Sequence, residues 1–112
     1  RRTNACRAAQ RLPGLSSSRC AQDAALKRAL ALVGKAQLTH APLAGVIAGC
    51  TPATAAAENL SKAAATPATV IDAWMHSAGH RANLLDPELT RIGVGCFHDA
   101  AAMLCSQVFL DR

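Results

Sequence analysis

Helix-period and strand-period patterns both occur in this 112-residue chain, which predicts an α+β domain. Three stretches carry the prediction. Val70, Ile71, Trp74 and Met75 fall on one apolar stripe, behind Thr66 as a helix cap and Pro67 at the first helical position. Leu26, Ala29, Leu30, Val33 and Ala36 mark an inward stripe within a longer helical candidate, residues 21–37. Residues 92–97 and 103–109 read as two antiparallel strands joined across 98–102.

Taken in order, residues 3–12 suit a first helix with Thr3 or Asn4 as its cap, stopped by Pro13-Gly14. Residues 15–19 read as a polar loop with three serines. Within 21–37, Lys27, Arg28 and Lys35 are placed in water, and Gly34 is a mild fault. The short apolar run 43–50 reads as a strand, and Thr51-Pro52 turns the chain. Residues 53–60 carry Glu58, and 61–65 form a loop or loose turn. Ser77-Ala78-Gly79 ends the next helix with Gly79 as a left-handed cap, so that His80 and Arg81 follow in a basic turn. Asp86-Pro87 leads into the last strands.

The length fits one domain, residues 1–112, with a real but modest core. Apolar residues reach 51% but aromatic ones only 3%, so the core must be built of small side chains, with Trp74, Phe97 and Phe109 prominent. A net charge of +5 reads first as a soluble basic surface, and beyond that favours anionic surfaces such as acidic lipid headgroups or cell-wall polymers. Nucleic acid fits less well, because neither a binding motif nor a set of stacking aromatics is present. No apolar run approaches the ~18–20 residues of a membrane-spanning helix.

Five cysteines without a C-x-x-C pattern argue for disulfides in an exported protein rather than for a zinc ribbon. The chain opens at Arg1-Arg2 without a signal peptide and reads as a mature or trimmed chain. If residues 99–102 form the loop, the cross-strand pairs are His98 with Met103, Phe97 with Leu104 and Cys96 with Cys105. Opposed residues about 4.5 Å apart at Cα can carry a disulfide, so Cys96–Cys105 is the expected bond. The alternative is two reduced, buried thiols. Of Cys6, Cys20 and Cys50, the expected pair is Cys6–Cys20, because Pro13-Gly14 could fold one segment back on the other.

The strings WMHSAGHRANLLDP (74–87) and TRIGVG (90–95), with AENL (57–60) and SQVF (106–109), resemble the CAP superfamily, also called SCP or SCP/TAPS. Its members include cysteine-rich secretory proteins, antigen 5 and plant pathogenesis-related 1, and the likeness is greatest to the bacterial branch. Asn4 and Arg7 match an N-x-x-R pattern near the start of many members. The resemblance implies an α-β-α sandwich, a small antiparallel sheet covered by helices on both faces. It also implies a cleft with two histidines and two acids. His40 matches by position, and Glu58 and His80 match by motif. The second acid is missing, Ser77 standing in its place, so a mechanism needing two carboxylates lacks one. Ala57 stands where many members carry Gly.

His40, Glu58 and His80 would suffice as three Zn²⁺ ligands with a position left for water. The same trio could hold a His–Glu hydrogen bond that orients one ring as a general base. It could equally be a satisfied polar network tying helix ends to the sheet. Ser77 lacks the G-x-S-x-G setting of a nucleophile. His76 is expected to pair with Asp72 on a helix surface, and His98 to be exposed in a hairpin turn. Arg81 either anchors its turn or contacts an anionic ligand. The balance falls on a secreted, non-catalytic binding module. Its ligand-binding cleft of His40, Glu58, Ser77, His80 and Arg81 would take a divalent metal or an amphiphilic lipid or cell-envelope ligand. No cofactor is required, Zn being the one candidate. The alternatives are a metal-assisted hydrolase of protease or nuclease type, and a cell-envelope interaction module.

Overall fold

The computed structural model describes residues 2–64 and 66–112. The elements run α1 (Arg2–Ala9), β1 (Ser16–Ser17), α2 (Arg19–Leu32), α3 (Ala44–Gly49), β2 (Ala56–Ala63), α4 (Pro67–Met75), α5 (Ala78–Leu84), β3 (Arg91–Asp99) and β4 (Ala102–Leu110). The strands lie in the order β1-β3-β4-β2. β4 pairs antiparallel with both β3 and β2, whereas β1 runs parallel to β3. The sheet is therefore mixed, not purely antiparallel. The fold class is α+β, with helices on both faces.

The pleat sorts side chains between two cores. Gly93, Gly95, Val108, Ser106 and Glu58 point toward α2, and Ile92, Phe109, Gln107 and Asn59 point toward α1, α4 and α5. One core gathers Leu15, Ile71, Trp74, Leu84, Leu89 and Phe109; the other gathers Ala21, Ala25, Cys50, Ala53, Val108 and Leu110. Phe97 is only half-buried and belongs to neither.

α2 lies almost in contact with the β3 backbone. A Cβ added to Gly93 would meet the Gln22 nitrogen at 2.1 Å, and one on Gly95 the Leu26 nitrogen at 2.4 Å. Only alanine fits such a seam, so Ala21, Ala25 and Ala29 are fully buried. The expected inward stripe is corrected accordingly, since Leu30 is 57% exposed and Val33 37%. Ser18 caps α2, its hydroxyl accepting from the Ala21 N–H. The helix ends at Leu32, and Gly34 takes a left-handed conformation beyond it, with φ +79°.

Other expectations change too. Residues 43–50 form a helix, α3, instead of a strand. A short run with Val46 and Ile47 fits either period, and none of the residues in α3 is buried. Ser61–Ala63 continue β2 rather than forming a loop. Thr66 does cap α4, accepting from the Thr69 N–H at 3.2 Å. The break after α4 is brief: Ser77 starts α5, Gly79 lies inside that helix, and His80 and Arg81 are helical. The serine loop contributes β1.

α1 already includes Arg2, so Thr3 and Asn4 are not its caps. Thr3 is buried and accepts from Gln107 Nε2, while Asn4 bonds both the N–H and the C=O of Leu15. Arg7 is 1% exposed and donates to the carbonyls of Pro13, Leu84, Asp86 and Leu89, which fastens α1 to α5 and the following turn.

Two disulfides are present, Cys96–Cys105 and Cys20–Cys50. Cys96 lies opposite Cys105 in the β3–β4 register, with Cα atoms 4.1 Å apart. The expected Cys6–Cys20 pair does not form. Cys6 packs with the Trp74 core on one face of the sheet and Cys20 with the alanine core on the other, and Cys6 is free.

Candidate functional site

Glu58 is the centre of the polar architecture at the β2 edge. Its strand position aims it at the α2 face, with 2% of its side chain exposed. Arg28 Nε donates to Oε2 and Nη2 to Oε1, the latter at 2.9 Å, so the guanidinium grips the carboxylate with two bonds. Ser106 Oγ donates to Oε2 at 2.7 Å. His40 Nδ1–H donates to Oε1 at 2.9 Å. Burial pushes the Glu58 carboxyl up, but hydrogen bonds from Arg28, Ser106 and His40 together outweigh it and hold the group below its ordinary value. Arg28 also donates to the carbonyls of Ala41 and Pro42, tying the segment that carries His40 to α2. Arg28 was expected in water; it is instead the largest partner of the one cleft acid.

His40 is half open to solvent, with 54% of its side chain exposed. Glu58 holds the ring through Nδ1, and no hydrogen bond among the described residues engages Nε2. His80 sits in the first turn of α5, its Nδ1 2.9 Å from Ser77 Oγ. Ser77 thus turns its hydroxyl to the imidazole and makes no side-chain cap to the backbone. The His80 ring stacks on Trp74, with centroids 5.6 Å apart. Burial, and then the charge of His40, lower the His80 pKa. Asn59 donates to the His80 carbonyl, and Asn83 to the Glu58 carbonyl and to Asn59 Oδ1, locking α5 against β2.

Of the two histidines only His40 touches Glu58, while His80 lies on α5, which Asn59 and Asn83 tie to β2. Among the described residues no group of three His, Cys, Asp or Glu side chains is arranged to hold a metal ion. Every Glu58 oxygen already receives two donors, and a guanidinium neutralises the charge, so the trio does not fit Zn²⁺ as arranged. Arg81 is exposed and makes no ion pair among the described residues. His76 bonds the Asp72 carbonyl, not its carboxylate, which pairs with Arg2 at 2.6 Å. His98 is exposed near the end of β3.

A pocket of about 220 Å³ opens beside the Arg28–Glu58 pair, lined by Lys27, Ala31, Leu32, Thr39 and Ala41. A larger cavity, about 490 Å³, lies on the opposite face, lined by Val70, Ile71, Trp74, Val94 and Met103 among others. None of His40, Glu58 and His80 lines it.

A family model of the cysteine-rich secretory proteins, CAP, matches residues 1–109. The chain belongs to that family. The CAP-domain chain is 24% identical to an extracellular protein of Bacillus anthracis containing an SCP domain, with a TM-score of 0.86 over 98% of this chain and 38% of that one. A cysteine-rich secretory protein of Staphylococcus aureus gives 23% identity and a TM-score of 0.82 over 98% and 36%. An outer surface protein of Borrelia burgdorferi gives 18% and 0.87 over 98% and 86%. At these identities the likeness shows the CAP fold alone. The uncharacterized protein YkwD of Bacillus subtilis (strain 168) is 55% identical over 40 residues, which is 36% of this chain and 16% of YkwD.

Proposed function

We propose that this CAP domain is an extracytoplasmic, non-catalytic binding module. Its pocket beside the Arg28–Glu58 pair takes one end of an amphiphilic, anionic ligand from a lipid or the cell envelope. The observation that carries this reading is the saturation of Glu58. A carboxylate fully engaged by Arg28, Ser106 and His40, with its pKa held down, is a poor proton acceptor and a poor metal ligand. It serves to fix the His40 ring. What remains accessible is a small apolar pocket beside the Arg28–Glu58 pair, with Lys27 in its lining. At about 220 Å³ the pocket is below the ~300–1,000 Å³ of sites that enclose a whole small molecule, which suits the end of a longer one. Extracytoplasmic placement is supported by the two disulfides and by the extracellular and outer-surface relatives.

The test is an NMR titration with a short-chain fatty acid and, separately, with Zn²⁺. Shifts at Lys27, Thr39, His40 and Ala41 that weaken at least tenfold in Lys27→Glu are expected, with Zn²⁺ binding no more tightly to wild type than to His80→Ala. Turnover of peptide or nucleic-acid substrates that is abolished by Glu58→Ala would replace the binding reading with the hydrolase. Shifts confined to Val70, Trp74 and Val94 would move the ligand to the opposite cavity.

A further inference from the structure

β1 pairs with β3 only at Arg91 and Ile92, so from Gly93 onward β3 has no strand neighbour on that side among the described residues. Ser16 N–H donates to the Thr90 carbonyl and Ser18 N–H to the Ile92 carbonyl, so even-numbered residues turn their backbone groups to this edge. Strand alternation then aims the N–H and C=O of Val94, Cys96 and His98 outward, with no strand to receive them. Edges are ordinarily blunted by charge, proline or a bulge. Between Arg91 and His98 the sequence is Ile-Gly-Val-Gly-Cys-Phe, with neither charge nor proline.

The apolar surface converges on the same edge. Leu30, Val33 and Val94 are the exposed large hydrophobics among the described residues. Arg28 leaves α2 toward β2, where it meets Glu58; at 3.6 residues per turn, Leu26, Leu30 and Val33 leave by the opposite flank, over the open side of β3. Val94 projects from the other face of the same strand.

We propose that this edge is a homodimer interface, in which β3 pairs antiparallel with β3 of a second copy about a two-fold axis at Cys96. The occupant is chosen by self-complementarity. With the axis at Cys96, Val94 faces His98 of the second copy and Cys96 faces itself, so outward donors meet outward acceptors throughout. α2 runs in the direction of β3, with Ala21 and Gln22 at Gly93, Ala25 and Leu26 at Gly95, and the Gly34 N–H on the Asp99 carboxylate. The helix position level with Cys96 is therefore near Arg28, and the axis brings Leu26 of each copy opposite Leu30 of the other. One register thus satisfies the backbone and covers the exposed Leu30. The two sheets join into one, with the α2 helices side by side.

Sedimentation velocity on the oxidised chain over about a hundredfold range of concentration tests this. A species of twice the 11.6 kDa chain mass is expected, with amide exchange at Val94, Cys96 and His98 slowing as concentration rises. Val94→Pro deletes an outward N–H without touching the β3–β4 ladder, and Leu30→Glu charges the flank. Each should raise the dimer dissociation constant at least tenfold while both disulfides and the far-UV spectrum are retained. Should Val94→Pro fail to fold, Leu30→Glu and the wild-type exchange data decide the matter alone. A monomer throughout the range overturns the proposal. So does a dimer in which those three amides exchange as freely as in dilute protein.

Discussion

Arg28→Ala should destabilise the domain by an amount the structure fixes in sign and in rough size. It leaves Glu58, 2% exposed, with only Ser106 and His40 as donors. Breaking a buried ion pair from one side costs about 3–5 kcal/mol, and because Arg28 itself keeps 12% exposure we expect about 3. For a domain of this length that is a fall in Tm of roughly 12 °C. The pH dependence is the sharper test. In the wild type the folded Glu58 pKa lies below its unfolded value, so the unfolded chain binds more protons in the acid range. The stabilisation is present in full above about pH 5 and is lost as pH falls through the folded pKa. In Arg28→Ala burial, which raises the pKa, is left opposed only by the hydrogen bonds from Ser106 and His40. Acidification from neutrality should then relieve the variant instead of weakening it. Arg28→Ala with Glu58→Gln should recover stability at pH 7, because the buried charge is gone. Urea melts at pH 7, 5.5 and 4 measure all three. A loss under about 1 kcal/mol at pH 7, or an acid-side decline equal to that of wild type, would refute the argument.

Gly95→Ala should cost about 3 kcal/mol or more in denaturant melts, because its Cβ lands 2.4 Å from the Leu26 nitrogen. Gly79→Ala, inside α5 with nothing within 4 Å, should stabilise by about 0.5–1 kcal/mol. Replacing Cys20 and Cys50 by alanine should cost about 1 kcal/mol more than replacing Cys96 and Cys105, since the closed loops span 30 and 9 residues. The His80 ring should titrate by NMR below the ordinary histidine value. His40→Ala should raise that titration point only in part, because burial is the larger cause. His80 therefore contributes stability that is full above about pH 6.5 and is lost as pH falls through its folded pKa.

What could be read from the chain, and what could not, divides by the range of the information. The α4 stripe and its Thr66 cap are local patterns, and the Cys96–Cys105 register follows from counting across one hairpin. Arg28 as partner of Glu58 is invisible locally, because 30 residues separate them and nothing on α2 distinguishes it from Lys27. Its place beside the buried Ala25 and Ala29 is the one signal that could have placed it near the sheet. Leu30 and Val33 looked inward because leucine and valine outrank alanine in hydrophobicity. The reason they are not lies in Gly93 and Gly95, whose bare backbone admits only alanine across the seam. α3 misled because six residues are too few for a period to declare itself. Ser77 hid a second helix start behind an apparent stop.

The alanine–glycine seam between α2 and β3 has a further consequence for how the molecule responds to force. Neither residue has rotamers to freeze, so closing that layer costs chiefly backbone entropy. The opposite core, with Trp74, Phe109, Leu84 and Ile71, must also fix several side-chain torsions and fit unlike shapes together. Backbone set directly on backbone leaves little void to eliminate, and void elimination is what lets hydrostatic pressure unfold a protein. Under pressure the α2 layer should hold while the layer of α1, α4 and α5 loosens first, giving the two faces of one small sheet different compressibilities.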